Sequence, residues 1–428
     1  MSFLAQFRSF NHPSRVLMVN QFGINVGFYM LMPYLADYLA GPLGLAAWAV
    51  GLVLGVRNFA QQGMFFVGGT FADRFGYKPL IVAGCLLRTG GFVLLAVAQS
   101  LPSLIIASAA TGFAGALFNP AVRAYVAAEA GDREVEAFAV FNIFYQAGIL
   151  LGPMLGLALL TLDFRATVLG AAAVFAVLTV AQLLALPQHE IDADAERSSI
   201  SHDWRTVLGN RRFLGFAAAM TGAYVLTFQI YLALPLQAAR LVPGRQSVLV
   251  AAMFAVSGLV AIAGQLRITG WFAERWEAGR SLVVGAVLLT CSFAPLALVS
   301  NGQRFGVAAG TATGIAALLL SASLLAAASA AVFPFEMRTV VTLSENRLVA
   351  THYGFYSTIV GVGILLGNLA VGALMSLAHR LNVDGLVWDG LILVGIVTVV
   401  GLHRLDRSAR GLGRAAGCTS GSAPIQQR

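Results

Sequence analysis

Lysine is almost missing from this chain: Lys78 is the only one among 428 residues, and Asp, Glu, Lys and Arg together make up 11%. A soluble domain carries about 25% charged residues, so a water-soluble globular protein of this length is excluded. Cysteine is scarce as well. Cys85, Cys291 and Cys418 are the only three, and their spacing forms neither a disulfide framework nor a metal site. The six His are scattered, and His352, near a helix start, reads as a capping or hydrogen-bonding residue. No Walker motif is present, which excludes ATP as the driving force. No nucleophile–base pair or metal-ligand cluster points to an enzyme, and no cofactor is expected.

What is abundant is apolar surface, at 58% of residues. At ~20 residues per membrane-crossing helix, the apolar stretches predict about twelve spans. They lie near 15–36, 47–71, 80–99, 103–126, 137–160, 166–187, 212–236, 247–270, 281–300, 305–333, 351–376 and 386–404. The stretches lack the alternation of an outer-membrane barrel. With both termini inside, 20 of the 27 basic residues fall on the cytoplasmic side. Five lie outside (Arg165, Arg240, Arg245, Arg304, Arg380), and Arg57 and Arg88 lie within the membrane. This positive-inside bias accounts for the net charge of +8 without nucleic acid. The first span is too long for a signal-peptide core, and no cleavage site follows it.

The longest polar interruption, 188–211, reads as a cytoplasmic linker between an N-terminal six-helix bundle (1–187) and a C-terminal one (212–404). Residues 405–428, rich in Arg, Gly and Ser, read as a disordered cytoplasmic tail. The halves echo each other. Gly69, Asp73 and Arg74 in GTFADRFGYK match Gly270, Glu274 and Arg275, an offset of 201. GILLG occurs at 148–152 and 363–367, and the same offset of 215 relates Phe118 and Arg123 to Phe333 and Arg338. Six spans per half place the repeats in parallel, an arrangement found in secondary transporters.

On these residues the chain resembles the major facilitator superfamily over nearly its full length. Gly69, Asp73, Arg74, Gly76 and Lys78 match the signature loop after the second helix; Tyr77 replaces a usual basic residue. Gly148, Gly152, Pro153 and Gly156 match the fifth-helix motif of exporter branches, with Leu157 in place of a common second Gly. Many antiporters of the family carry an Arg in the fourth helix. Its equivalent here is Ser108, ahead of Gly112, so that Arg's role does not carry over. Segments 50–84 and 115–128 look like the MdtH-type multidrug-resistance branch. The resemblance implies an all-α fold of twelve transmembrane helices in two pseudo-symmetric six-helix bundles. It also implies a drug:proton antiporter of the bacterial inner membrane that works as a monomer, with protons and a small molecule as partners.

The signature loop reads as a latch in which Asp73 faces the start of helix 11 near Thr351, with Gly69 allowing close helix approach; a solvated turn with surface ion pairs is the plainer reading. The stripe Gly148, Gly152 and Gly156, with Pro153, predicts tight helix packing and, at the interface between halves, a seal that favours export.

The sharpest site signals are Arg57, ~15 Å into helix 2, and Arg88 in helix 3. A charge at that depth costs at least ~2.5–3.5 kcal/mol and is usually functional. Gln61 lies one turn from Arg57. Three roles stand open for Arg57: a structural cluster with Asp37 or helix carbonyls, an anionic or zwitterionic substrate group, and tuning of a nearby acid. No carboxylate is expected deep in a span. Asp37 at the outer end of helix 1 is the first proton-coupling candidate, with Glu336 and Glu129 next. Asn25, Tyr29, Asn142, Tyr145, Gln146, Tyr224, Phe228, Tyr231, Tyr353 and Tyr356 are expected to line an aromatic, amide-rich cavity for bulky amphipathic ligands. The expected function is multidrug efflux by proton antiport and alternating access. The alternatives are a carrier of one metabolite, such as an amino acid or other carboxylate, and a non-transporting scramblase or sensor.

Overall fold

A computed structural model describes residues 3–130, 134–187, 200–300, 307–344, 349–381, 383 and 385–419. Among them there is no strand. The N-terminal part comprises α1 (Phe3–Arg8), α2 (His12–Ala40), α3 (Ala47–Gln62), α4 (Phe65–Phe75), α5 (Tyr77–Val97), α6 (Leu101–Ala130), α7 (Glu134–Leu160) and α8 (Phe164–Ala185). Then come α9 (Ile200–Gly209), α10 (Arg211–Thr227), a 3-10 turn at Phe228–Tyr231, α11 (Ala233–Leu241) and α12 (Gln246–Arg275). The chain closes with α13 (Ala278–Cys291), α14 (Ala294–Ser300), α15 (Val307–Leu343), α16 (Val349–Leu381) and α17 (Leu386–Thr419).

Eleven segments of the described residues are long and apolar enough to cross a membrane. The expectation of twelve differs at the second span. Instead of one helix over 47–71, the chain makes α3 and α4, of 16 and 11 residues, separated at Gly63 and Met64. Glycine is a poor helix residue, and here Gly63 is pressed against Gly361 of α16. The Gly63 carbonyl accepts a hydrogen bond from Thr358 Oγ1 at 2.8 Å, so the break is stitched from the other half of the chain.

Two further boundaries move. α15 continues ten residues past its expected end, to Leu343. The tail expected to be disordered from 405 is helical as far as Thr419: Leu402 and Leu405 still pack on the core, and Asp406 lies against Gly279. Residues 420–428 lie outside the described residues, as do 188–199 of the linker, whose remainder forms α9.

The internal repeat has a structural counterpart. Asn11 caps α2 by accepting from the Ser14 N–H at 3.0 Å, and its Nδ2 donates to Glu129 Oε2 at 2.6 Å near the end of α6. Asn210 caps α10 by accepting from the Phe213 N–H at 3.1 Å, and its Nδ2 donates to the Leu343 carbonyl at 2.9 Å at the end of α15. Each half thus opens with an Asn that satisfies an orphan helix donor and ties its first long helix to its fourth.

Helices α2–α8 pack mainly among themselves, as do α10–α17. The main seam between the sets is α3 against α16. Gly51 lies on the Asn368 backbone, Gly63 on Gly361, and Gly372 on the Ala47 carbonyl. Small residues here let two backbones approach closely. At the end of the bundle where α2 finishes, Asp37 Oδ2 accepts from Gln246 Nε2 of α12 at 3.2 Å. At the opposite end, Trp204 of α9 packs edge-on against Phe66 of α4 and Phe355 of α16, with centroids at 5.1 and 5.8 Å.

Candidate functional site

α3 and α5 bring the two buried arginines to one ring. The Arg57 and Arg88 guanidinium carbons lie 4.4 and 5.4 Å from the centroid of Phe28 on α2. Arg88 is also boxed by Phe118 at 4.7 Å and Phe175 at 5.3 Å, and its Nε and Nη2 donate to the Thr111 carbonyl on α6 at 3.1 and 2.8 Å. A guanidinium from α5 thus serves the stretch of α6 around Gly112, where Ser108 replaces the arginine that the family resemblance would place. Arg57 Nη1 donates to Asn58 Oδ1 at 2.7 Å, and its Nη2 donates to Gln61 Oε1. Both arginines are buried, at 3% and 2% exposure. Neither has a carboxylate partner among the described residues. The suggested pairing of Arg57 with Asp37 is not formed, because Asp37 is held by Gln246 at the end of the bundle.

The second half carries a carboxylate in a cage of tyrosines. Glu336 on α15, seven residues before the helix end at Leu343, is 1% exposed. The Tyr224 hydroxyl donates to its Oε1 at 2.8 Å. The Tyr356 hydroxyl stands beside the same carboxylate as a second phenol group. Phe333 and Tyr356 stand edge-on to Tyr224, at 5.2 and 6.2 Å, and Tyr353 stacks on Tyr356 at 6.3 Å.

An aromatic chain runs between the two clusters. Phe28 meets Tyr29 at 4.9 Å, and the Tyr29 and Tyr231 hydroxyls share a hydrogen bond of 3.3 Å across the seam. Tyr231 then contacts Phe228 at 5.9 Å, and Phe228 contacts Tyr224 at 6.4 Å. Phe254 of α12 closes one side, 6.4 Å from Tyr29 and 5.7 Å from Tyr231.

The other anticipated residues divide. Asn25 is spent on helix packing, its Nδ2 donating to the Tyr145 carbonyl at 3.2 Å. Gln146 is half-buried and Asn142 exposed on α7. Glu129 is bonded to Asn11 and belongs to the chain-end tie. His352 is buried edge-on to Phe213, at 4.9 Å. Gly148, Gly152 and Gly156 pack against Phe22, Tyr29 and Met30 of α2. Their stripe therefore lies inside the N-terminal half and not between halves, because α7 turns that face to its own neighbour. The Tyr34 hydroxyl donates to the Pro153 carbonyl there, at 2.6 Å. In the signature loop, Gly69 faces open space, and Gly68 is the residue pressed against Ala116 of α6. Gly76 holds φ +87°, which only glycine adopts readily. Lys78 Nζ donates to the Leu186 carbonyl at 2.5 Å, closing the end of α8. The Asp73 and Arg74 side chains lie outside the described residues. Sequence reading missed Asn58, Phe28 and Gln246; buried Asn58, adjacent to Arg57, was the one with a visible signal.

Residues 17–310 match the sequence profile of the Major Facilitator Superfamily. The chain belongs to that family. It is a membrane transporter and not an enzyme, and its all-helical fold is that of the major facilitators. The chain is 74% identical over 407 residues to the uncharacterized MFS-type transporter Rv0849 of Mycobacterium tuberculosis (strain ATCC 25618 / H37Rv), covering 95% of this chain and 96% of that one. It is 29% identical over 405 residues to the multidrug resistance protein MdtH of Sodalis glossinidius (strain morsitans), covering 94% and 95%. Among solved structures, the POT family transporter PepTSo superposes with a TM-score of 0.77 at 14% identity, covering 93% of this chain and 98% of that one. At that identity the likeness speaks for the fold alone.

Proposed function

We propose that this major facilitator is a proton-driven exporter of small amphipathic compounds, working by alternating access in the inner membrane with both termini cytoplasmic. The observation that carries the proposal is Glu336. It is a buried carboxylate of the second half, held by the Tyr224 hydroxyl with the Tyr356 hydroxyl beside it. A buried carboxylate in this setting is costly when charged, so taking up and releasing a proton is the change of state it is built for. This moves Glu336 ahead of Asp37 and Glu129, each of which is engaged by an amide. Inward proton movement supplies ~2.3 kcal/mol per charge per 100 mV of membrane potential. The aromatic seam suits bulky ligands with loose shape demands, and the printed name of the MdtH relative points the same way. With the termini inside, the Asp37–Gln246 contact closes the external end and the Phe66–Trp204–Phe355 cluster lies at the cytoplasmic end. The latch role of Asp73 and Arg74 and the monomeric state remain part of this proposal.

The test uses purified protein in liposomes with a trapped pH dye. Several unrelated amphipathic compounds should each trigger proton flux, and Glu336→Gln should abolish it while Asp37→Asn retains it. Flux that survives Glu336→Gln and is lost in Asp37→Asn would refute the assignment of Glu336.

A further inference from the structure

Around Arg57, two donors are left without partners among the described residues. Arg57 Nε and Asn58 Nδ2 are buried with no acceptor among the described residues. Asn58 is 1% exposed, and its Oδ1 is held by Arg57 itself, so its free amide lies beside the guanidinium. The acceptors that Arg57 does have are neutral amides, Asn58 Oδ1 and Gln61 Oε1. Arg88 adds a second positive charge over the same Phe28 ring and takes only a backbone carbonyl and aromatic faces. Aromatic faces and neutral oxygens hold a cation in place but do not neutralise it. Two positive charges and two idle donors near one ring therefore lack one thing, an anion.

The positions of the neighbours fit an incoming anion. Gln61 is the half-buried member of the cluster, so its amide is the contact an entering group displaces first. Tyr29, next to Phe28, reaches the seam through its bond to Tyr231. An aryl body would lie along Tyr29, Tyr231 and Phe254, with its acidic group on Arg57 Nε, Arg57 Nη2 and Asn58 Nδ2.

We infer that Arg57 and Asn58, backed by the charge of Arg88, form a binding site for the acidic group of the substrate, so that the compounds carried are amphipathic carboxylates and not cations. The inference rests on the export reading for the word "carried" but not for the binding. Charge-assisted hydrogen bonds are about twice as strong as neutral ones, and a site with unpaired donors discriminates against ligands lacking the acceptor.

The test is thermal stabilisation of the detergent-purified protein by benzoate, 1-naphthoate and 4-phenylbutyrate. The methyl esters of each are compared with them, together with benzylamine, 1-naphthylmethylamine and 4-phenylbutylamine. The carboxylates should half-saturate at concentrations on the order of tenfold lower than the esters and amines. Arg57→Gln should remove that preference while keeping the amide contacts. Asn58→Asp should remove it by a different route, placing a carboxylate of the protein's own against Arg57. Equal half-saturation for acids and esters, a preference for amines, no stabilisation by any carboxylate, or a preference retained in both variants would each overturn the inference. The same panel in the pH-dye liposomes separates the two readings. Flux driven by amines or esters without tighter carboxylate binding leaves export standing and this inference fallen. Carboxylate binding without flux from any compound does the reverse.

Discussion

Gly68 and Gly69 are neighbours on α4 with opposite surroundings. A Cβ at Gly68 would fall onto the Ala116 carbonyl of α6 and come within 3.3 Å of the Leu117 Cα. A Cβ at Gly69 would meet nothing within 4 Å. Replacing a helical glycine by alanine gains up to ~1 kcal/mol of helix propensity. At Gly69 nothing opposes that gain, so Gly69→Ala should be neutral or slightly stabilising, even though Gly69 is the residue that matches the family signature. At Gly68 the atoms in the way are backbone, which cannot rotate aside. Forcing such a contact costs typically ~1–3 kcal/mol and occasionally more, which offsets or exceeds the propensity gain. Each kcal/mol corresponds to ~2–4 °C for a unit of 150–250 residues. Gly68→Ala should therefore melt several degrees below Gly69→Ala in the same detergent, by tryptophan fluorescence or by precipitation of the heated protein. Equal melting of the two variants, or a lower value for Gly69→Ala, would refute the packing of α4 on α6.

Trp204→Ala removes two edge-on ring contacts worth ~0.5–1.5 kcal/mol each beyond their area from the junction of α4, α9 and α16. Spin-label distances between α4 and α16 should broaden, with little loss of folded protein. Thr358→Val removes the bond to the Gly63 carbonyl, and interhelical hydrogen bonds in a bilayer average only ~0.6 kcal/mol. It should leave transport within a few-fold of wild type, whereas Gly361→Leu, which drives a side chain into the Gly63 backbone, should abolish it.

The fold class was legible because apolar run length and charge placement report on the solvent around each helix, and both are properties of the sequence alone. The break at Gly63 was not legible. Span reading averages hydropathy over many residues, and one glycine scarcely alters that average, although the helix ends at Gly63, where Gly361 and Thr358 of α16 approach. The stripe Gly148–Gly152–Gly156 was readable as a packing face, but a small-residue stripe does not name its partner. The choice of α2 over the opposite half is set by Tyr29, Met30 and Tyr34 far away in the chain. The burial of Glu336 was hidden for a related reason. In FPFEMR a proline, an acid and an arginine interrupt the apolar run, which looks like a boundary, while the helix continues to Leu343 and Tyr224 covers the carboxylate.

Arg57 and Arg88 stood out because a charge in an apolar run has few explanations. Their partners did not, and the partners decide what the charges do. Had Asp37 reached Arg57, the pair would have been a neutral buried cluster with little reason to bind anything, since a buried ion pair already meets its own needs. Instead the duplicated scaffold, marked by Asn11 and Asn210 at the two helix starts and by Phe118 and Phe333 at one repeat offset, carries opposite charges in its halves. Positive charge without a carboxylate sits in one, and a carboxylate among tyrosine hydroxyls sits in the other. The line of rings from Phe28 to Tyr224 stands between them. That separation is what leaves each charge unspent. If Arg57 and Glu336 met directly they would neutralise each other, and the seam would offer neither a place for an acidic group nor a group for a proton.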